Sequence, residues 1–391
     1  MRKQLAIKPI RPQISKRVCM WTILTMICCI GVQDVSSQLL LASSPAAPPE
    51  IFTYAEGAVL MDVQSGRVLY SKSGDKPMRI ASLTKIMTAI IAIEQGNLSD
   101  MVEVSPVSYG KEGSSLYLKL GEQMSLHHML YGMMLRSGND AATAIAEHIG
   151  GSVEGFAYVM NEKAQLLGMD NSHFINPTGL DDGEGHYASA YDLAILTTHA
   201  LKNPNFQDIV KTKHKKAPNP HETWDYQWTN KNKMLVLFEG ADGVKTGYTQ
   251  LAKRCLVSSA TRDGQQLVVV TLNDANDWAD HTKLFAHGFL HYPQTTLIAS
   301  QHKLADDSWQ ATQDFSYPLT KEERSHITQV VVRHPADSLI HRLGEYGYLE
   351  LKLDGQLMGR IPIKPVHPHP KSTRPTNDFI LRRNEGVNEI W

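Results

Sequence analysis

The chain of 391 residues has little cysteine: Cys19, Cys28, Cys29 and Cys255 are all it contains. The first three fall in one apolar stretch near the N-terminus, so the remainder holds a single thiol and no internal disulfide. A core of this size needs no such staple. Cys255, in "RCLVSSA", reads as a buried strand residue. A surplus of charge is also missing. The net charge of −1 leaves no basic surplus that would argue for nucleic-acid binding. With 42% hydrophobic residues, wholesale disorder is excluded as well. No run reaches the ~20 apolar residues of a membrane-spanning helix, and no internal repeat is present. The 17 histidines show no metal-ligand spacing: "HETWD" opens like a zinc-peptidase helix but lacks the second histidine. Neither a metal nor a cofactor is expected.

What the N-terminus does have is a basic region followed by a short apolar core. Arg2, Lys3, Lys8, Arg11, Lys16 and Arg17 precede "VCMWTILTMICCIGV", residues 18–32. This is the layout of an export signal, with an uncleaved anchor as the alternative, so an extracytoplasmic location is expected. Residues 1–44 read as signal and spacer.

Two apolar runs flanking Gln64, Ser65 and Gly66 predict a hairpin. Helical text runs from Ser82 to about Gln95, and a loop-rich part follows to Gly121. Ser125 and Ser152 read as caps of two further helices, and Ser189 with Asp192 as a capping box. "CLVSSAT" and "QQLVVVTL" predict strands joined by the turn "RDGQ", with a helix closing the unit near Pro293. Strands at both ends thus enclose a helical insertion, and sheet and helices should meet at a cleft. A unit over residues 45–294 is expected. Beyond it, residues 295–366 alternate apolar and polar around the hairpin signal Asp354-Gly355, predicting a small β domain. Residues 367–391 are Pro-rich at their start and read as a mobile tail or, alternatively, a short helix.

Three short motifs carry chemistry. In "IASLTKIMTAI", Ser82 and Lys85 stand three apart on helical text that is apolar on nearly every side. They share a face. Burial lowers a lysine pKa, and a lysine so depressed can take a proton from a nearby hydroxyl. Ser82 therefore reads as an activated nucleophile, though S-x-x-K alone also describes many solvated helix faces. In "MLRSGNDAA", Ser137 and Asn139 lie on a turn between two helices, suited to proton relay and to holding a substrate carbonyl. Plain capping is the competing reading. In "DGVKTGYTQ", Lys245 and Thr246 can bind a carboxylate, and Gly247 permits close backbone approach. An edge strand with a solvated lysine is the alternative.

In the order S-x-x-K, S-x-N, K-T-G the set is far more specific than any member. With "NPTGLDD" it resembles the D-alanyl-D-alanine carboxypeptidases, the low-molecular-mass penicillin-binding serine peptidases, over roughly Ala58 to Tyr292. "LRSGNDAATAIAEHIGG" and "NDWADHTKLF" look most like the sporulation-type enzymes of spore-forming bacteria. The resemblance implies a β-lactamase/transpeptidase-like α/β fold, an antiparallel sheet flanked by helices with a helical subdomain, followed by the small all-β domain. It implies that Ser82 attacks the bond between the terminal D-alanines of a peptidoglycan stem peptide and that Lys85 takes its proton. Ser137 would pass a proton to the leaving D-alanine, and Asn139 would position the peptide. Lys245 and Thr246 would bind the terminal carboxylate beside Gly247. The oxyanion would sit between the backbone N–H groups of Ser82 and Tyr248. β-Lactams would acylate Ser82, no metal would be needed, and the protein would work at the cell wall or the outer face of the membrane. A serine β-lactamase is the enzymatic alternative, but no E-x-x-L-N-like segment lies between the second and third motifs. A catalytically idle wall protein is the other, against which stand three intact motifs.

Overall fold

The computed structural model describes residues 48–304 and 308–366. The expected signal, at 1–44, and tail, at 367–391, lie outside the described residues. No helix among the described residues is long and apolar enough to cross a membrane.

The scaffold is a five-stranded antiparallel sheet in the order Val68–Lys72, Gly57–Asp62, Gln265–Leu272, Lys253–Arg262, Ala241–Thr249. The first strand, β1 (Gly57–Asp62), pairs with β2 (Val68–Lys72) through the predicted hairpin, where Gly66 has φ 71°. "RDGQ" makes the second hairpin, with Asp263 at φ 49° and Gly264 at φ 79°. Positive φ at both central residues is what a tight two-residue turn demands. Because β1 pairs with Gln265–Leu272, the two ends of the 57–272 stretch meet in the middle of the sheet, and the helices in between are a true insertion.

Alternation sorts the strands between two cores. Val59, Met61, Val257, Val268 and Val270 face the helical insertion. Leu60, Leu256, Leu267 and Val269 face the opposite side, where helix Asp277–His291 adds Leu284 and Phe285. Both faces are covered, which explains why "LVVVTL" reads as one apolar run. The central helix of the insertion is α1 (Lys85–Gln95), with every residue from Lys85 to Ile93 buried. Each buried Ile, Leu or Met there contributes roughly 1.5–3 kcal/mol, so the helix is held by packing on all sides. Against it lie α2 (Leu126–Arg136) and α3 (Asn139–Gly150). Ser125, Ser152 and Ser189 cap the helices that follow them, each accepting the backbone N–H three residues on. The capping box is half realised: the Asp192 carboxylate accepts from the Asn171 N–H and the Ser172 hydroxyl. The loop-rich stretch before Gly121 also contains a short strand, Met101–Glu103, paired with Gln123–Ser125. Three-residue strands leave too short an alternation to be read.

After Pro293 the chain is β-rich. Gln294–Ile298 pairs with Phe315–Pro318, and a four-stranded sheet runs Trp309–Ala311, Gln356–Pro365, Gly347–Leu353, Ile327–Arg333. Asp354 and Gly355 make the predicted tight hairpin, at φ 48° and 82°. This part has its own core, including Ile298, Leu349, Leu351, Ile361 and Ile363. Arg67, in the turn before β2, ties it to the main sheet through an ion pair with Glu323, a bond to the Pro318 carbonyl, and stacking on Tyr292 and Tyr317.

Candidate active site

Ser82 does not begin the long helix, as its text suggests. It sits in a separate single turn of 3₁₀ helix, Ala81–Thr84, and α1 starts at Lys85. The turn is tight because the Thr84 hydroxyl donates to the Ala81 carbonyl at 2.8 Å, and Ala81 is held at φ 49°. Left-handed backbone in a residue with a Cβ costs of order 1–3 kcal/mol and clusters at functional sites. The turn lifts Ser82 into a cavity of about 310 Å³ also lined by Ser114, Ser137, Lys231, Thr246 and Tyr248.

Lys85 is fully buried. Its Nζ lies 3.1 Å from Ser82 Oγ, 2.7 Å from Asn139 Oδ1 and 2.6 Å from the Thr178 carbonyl oxygen. Burial pushes its pKa well below the usual lysine range, and the charges of Lys245 and Lys231 push the same way, against a smaller opposing pull from Asp140. A neutral amine has two N–H donors and one lone pair. In that neutral form the Asn139 oxygen and the Thr178 carbonyl, acceptors only, would take the two donors and leave the lone pair for the Ser82 hydroxyl. That is the hydrogen-bond pattern of a general base.

Ser137 closes α2 in a left-handed conformation, φ 67°. Its Oγ is buried and, among the described residues, has no hydrogen-bond partner. An unused buried hydroxyl costs roughly 1–3 kcal/mol, and here it belongs to a residue lining the same cavity as Ser82. Asn139 differs from its expected orientation. Its Oδ1 accepts from Lys85, and its Nδ2 donates to the Glu112 carbonyl at 2.6 Å, so the amide holds the base and the wall behind it.

Strand Ala241–Thr249 is the edge strand beside the nucleophile turn. A Cβ on Gly247 would stand 3.1 Å from the Ile80 carbonyl oxygen and 3.3 Å from the Ser82 backbone nitrogen, so glycine is what lets strand and turn touch. Lys245 is 2% exposed and donates to the Thr246 carbonyl. No carboxylate among the described residues pairs with it, and burial, with Lys231 nearby, lowers its pKa to about 7. An ammonium buried without an anion is costly, which is the physical cause of the lowered value. Thr246 and Tyr248 line the cavity itself; Tyr248 is 65% exposed. Cys255 lines it too, but burial raises its thiol to about 12, which removes it as a nucleophile.

Two further contributors have roles that only the fold reveals. Asp140 accepts from the N–H groups of Leu116 and Leu118 and from the Ser115 hydroxyl, pinning the loop that forms one wall. The segment "NPTGLDD" backs α1 and the Ser82 turn: the Pro177 carbonyl accepts from Thr88, that of Thr178 from Lys85, and Asn176 Oδ1 caps the turn at the Thr178 and Gly179 N–H groups. "NPTGLDD" stands out as a motif, but only the fold shows what it supports.

Residues 42–276 match the family model of peptidase S11, D-alanyl-D-alanine carboxypeptidase. The chain is 34% identical over 336 residues to the D-alanyl-D-alanine carboxypeptidase DacF of Bacillus subtilis, covering 80% of this chain and 85% of that protein. The structure is similar to the D-alanyl-D-alanine carboxypeptidase DacD from Francisella tularensis, with TM-score 0.65 at 26% identity over 83% of this chain and 95% of that one. It is likewise similar to penicillin binding protein 5 from Haemophilus influenzae, with TM-score 0.67 at 27% identity over 82% and 98% of the two chains. By these likenesses the chain belongs to the peptidase S11 family, as a serine D-alanyl-D-alanine carboxypeptidase of cell-wall metabolism.

Proposed function

We propose that the hydrolysis runs on the following residues. Ser82 attacks the carbonyl between the two terminal D-alanines of a peptidoglycan stem peptide, and neutral Lys85 receives its proton. The tetrahedral oxyanion lies between the backbone N–H groups of Ser82 and Tyr248. As the intermediate collapses and the C–N bond breaks, Ser137 hands its proton to the leaving D-alanine amine and takes one back from protonated Lys85. Lys245 and Thr246 hold the D-alanine carboxylate, with Gly247 keeping the strand close, while Asn139 keeps Lys85 aimed. Water then cleaves the acyl-enzyme and regenerates Ser82. The observation that carries this reading is the buried Lys85 amine, 3.1 Å from Ser82 Oγ with its other two directions taken by fixed acceptors.

Residues 45–294 are the catalytic unit in this reading, and 295–366 a β-rich companion that sets its distance from the membrane. The protein is exported and works in the wall, and β-lactams acylate Ser82 and leave slowly. Incubation with a stem pentapeptide should release one alanine by mass spectrometry, and benzylpenicillin should leave a lasting adduct on the Ser82 peptide. Ser82→Ala should abolish both. Rapid turnover of benzylpenicillin, or alanine release by the Ser82→Ala variant at the wild-type rate, would overturn the reading.

The Lys245 assignment has its own test. The group is charged below about pH 7 and loses its proton above it, so carboxylate binding weakens as pH rises through that value. KM for the pentapeptide should climb toward about tenfold per pH unit, and a KM flat from about pH 6 to 9 would remove Lys245 from the role.

A further inference from the structure

One buried chain of hydrogen bonds beneath the nucleophile is not used by the reaction as described. His186 is 3% exposed, and Thr84 is fully buried. The Ile175 N–H donates to His186 Nδ1 at 3.2 Å. Nδ1 is therefore the acceptor of the ring, and in the neutral imidazole the hydrogen sits on Nε2. Nε2 lies 2.7 Å from Thr84 Oγ1. That hydroxyl donates onward to the Ala81 carbonyl at 2.8 Å. Every link uses one hydrogen and all point the same way, toward the Ala81 carbonyl.

That carbonyl belongs to the same trans peptide unit as the Ser82 N–H, and across such a unit C=O and N–H point in opposite directions. Fixing the carbonyl downward, toward Thr84, presents the Ser82 N–H upward, on the side where Gly247 approaches it. The unit is under tension, because Ala81 is left-handed. Without a hold on its carbonyl, rotation of this peptide plane is the easiest relaxation. Gly179 packs against the same oxygen so closely that a Cβ there would lie 1.8 Å from it.

We infer that His186, acting through Thr84, is a positioning residue that locks the Ala81–Ser82 peptide so that the Ser82 N–H is presented to the developing oxyanion. The inference deepens the reading above and rests on its assignment of Ser82 and its N–H. A donor that wanders loses most of its worth in the transition state, where charge develops, and little in the ground state. Loss of the lock therefore lowers kcat, leaving KM nearly unchanged.

The test compares His186→Ala, His186→Gln, Thr84→Val and Thr84→Ser for pentapeptide turnover and for the rate of acylation by benzylpenicillin. Rates are normalised to the sites finally acylated, so unfolded protein does not count. Gln can still donate to Thr84, and Ser keeps the hydroxyl. Removing an oxyanion donor outright costs about 10²–10³ in kcat, so a misaligned one should cost about 10- to 100-fold in His186→Ala and Thr84→Val. The Gln and Ser variants should recover to within about threefold of wild type, and KM should move less than about threefold throughout. Unchanged kcat in both disabling variants, a loss confined to KM, or Gln no better than Ala would overturn the inference. A wild-type adduct found on a residue other than Ser82 would instead overturn the assignment beneath it.

Discussion

Lys85→Met should leave a folded protein that neither releases D-alanine nor acquires a penicillin adduct at a useful rate, with acylation down by at least ~10⁴-fold. Nucleophile and base act as a unit, and removing either costs about as much as removing both. Met keeps the length and apolar body of lysine but has no lone pair strong enough to take the Ser82 proton. Stability responds to two opposing terms. The substitution orphans Asn139 Oδ1 and the Thr178 carbonyl, roughly 1–3 kcal/mol each. It also removes the cost of burying an amine whose pKa is lowered in the fold. Between that lowered pKa and the ordinary lysine value the unfolded chain binds a proton that the native protein does not, so wild-type stability rises with pH across this window. The Met variant should lose that rise. Stopped-flow acylation and thermal melts at several pH values measure both. Acylation within about tenfold of wild type would show that another group takes the proton.

Gly179→Ala should cost at least ~100-fold in kcat/KM and several degrees in Tm, although residue 179 makes no contact with substrate in the proposed reaction. Its φ of 80° is left-handed, and an added Cβ would meet the Ala81 carbonyl oxygen at 1.8 Å, the Ala81 carbonyl carbon at 2.4 Å and Thr84 Oγ1 at 2.7 Å. Two of the three obstacles are backbone, so either the segment around Gly179 or the Ser82 turn must move. A displacement of about 1 Å in a reacting group costs about 10²-fold. The control is Gly151→Ala, at φ 72° with nothing within 4 Å of the new Cβ. It pays only the backbone cost, about 1–2 kcal/mol, and should keep full activity. Equal activity losses in the two variants would show that steric contact with the turn is not what matters.

The contrast between these glycines shows where local reading stops. Both are left-handed, and one simply ends a helix, where glycine is the ordinary residue. The other has its meaning only because residues about a hundred positions upstream fold against it. Asn139 and Lys245 teach the same lesson. Their identities were recognisable as parts of motifs, but the Asn139 amide turns to the base, and Lys245 lies buried beneath the strand surface that Thr246 and Tyr248 present.

Sequence alone determined what depends on neighbours along the chain. Alternation and apolar runs marked the strands of the main sheet, serines marked the helix starts, and Asp-Gly pairs marked two hairpins, because backbone geometry and capping are set within a few residues. The order of three short motifs, each conventional by itself, also reached the chemistry. Tertiary structure alone decided how that chemistry is armed. It buries Lys85 among Ser82, Asn139 and Thr178, sets "NPTGLDD" against the Ser82 turn and threads His186 through Thr84 to Ala81. The pairing of β1 with Gln265–Leu272 makes this possible by closing the chain around its helical insertion. A lowered pKa and a fixed peptide plane come from low dielectric and from contacts distant in sequence, and neither leaves a periodicity to read.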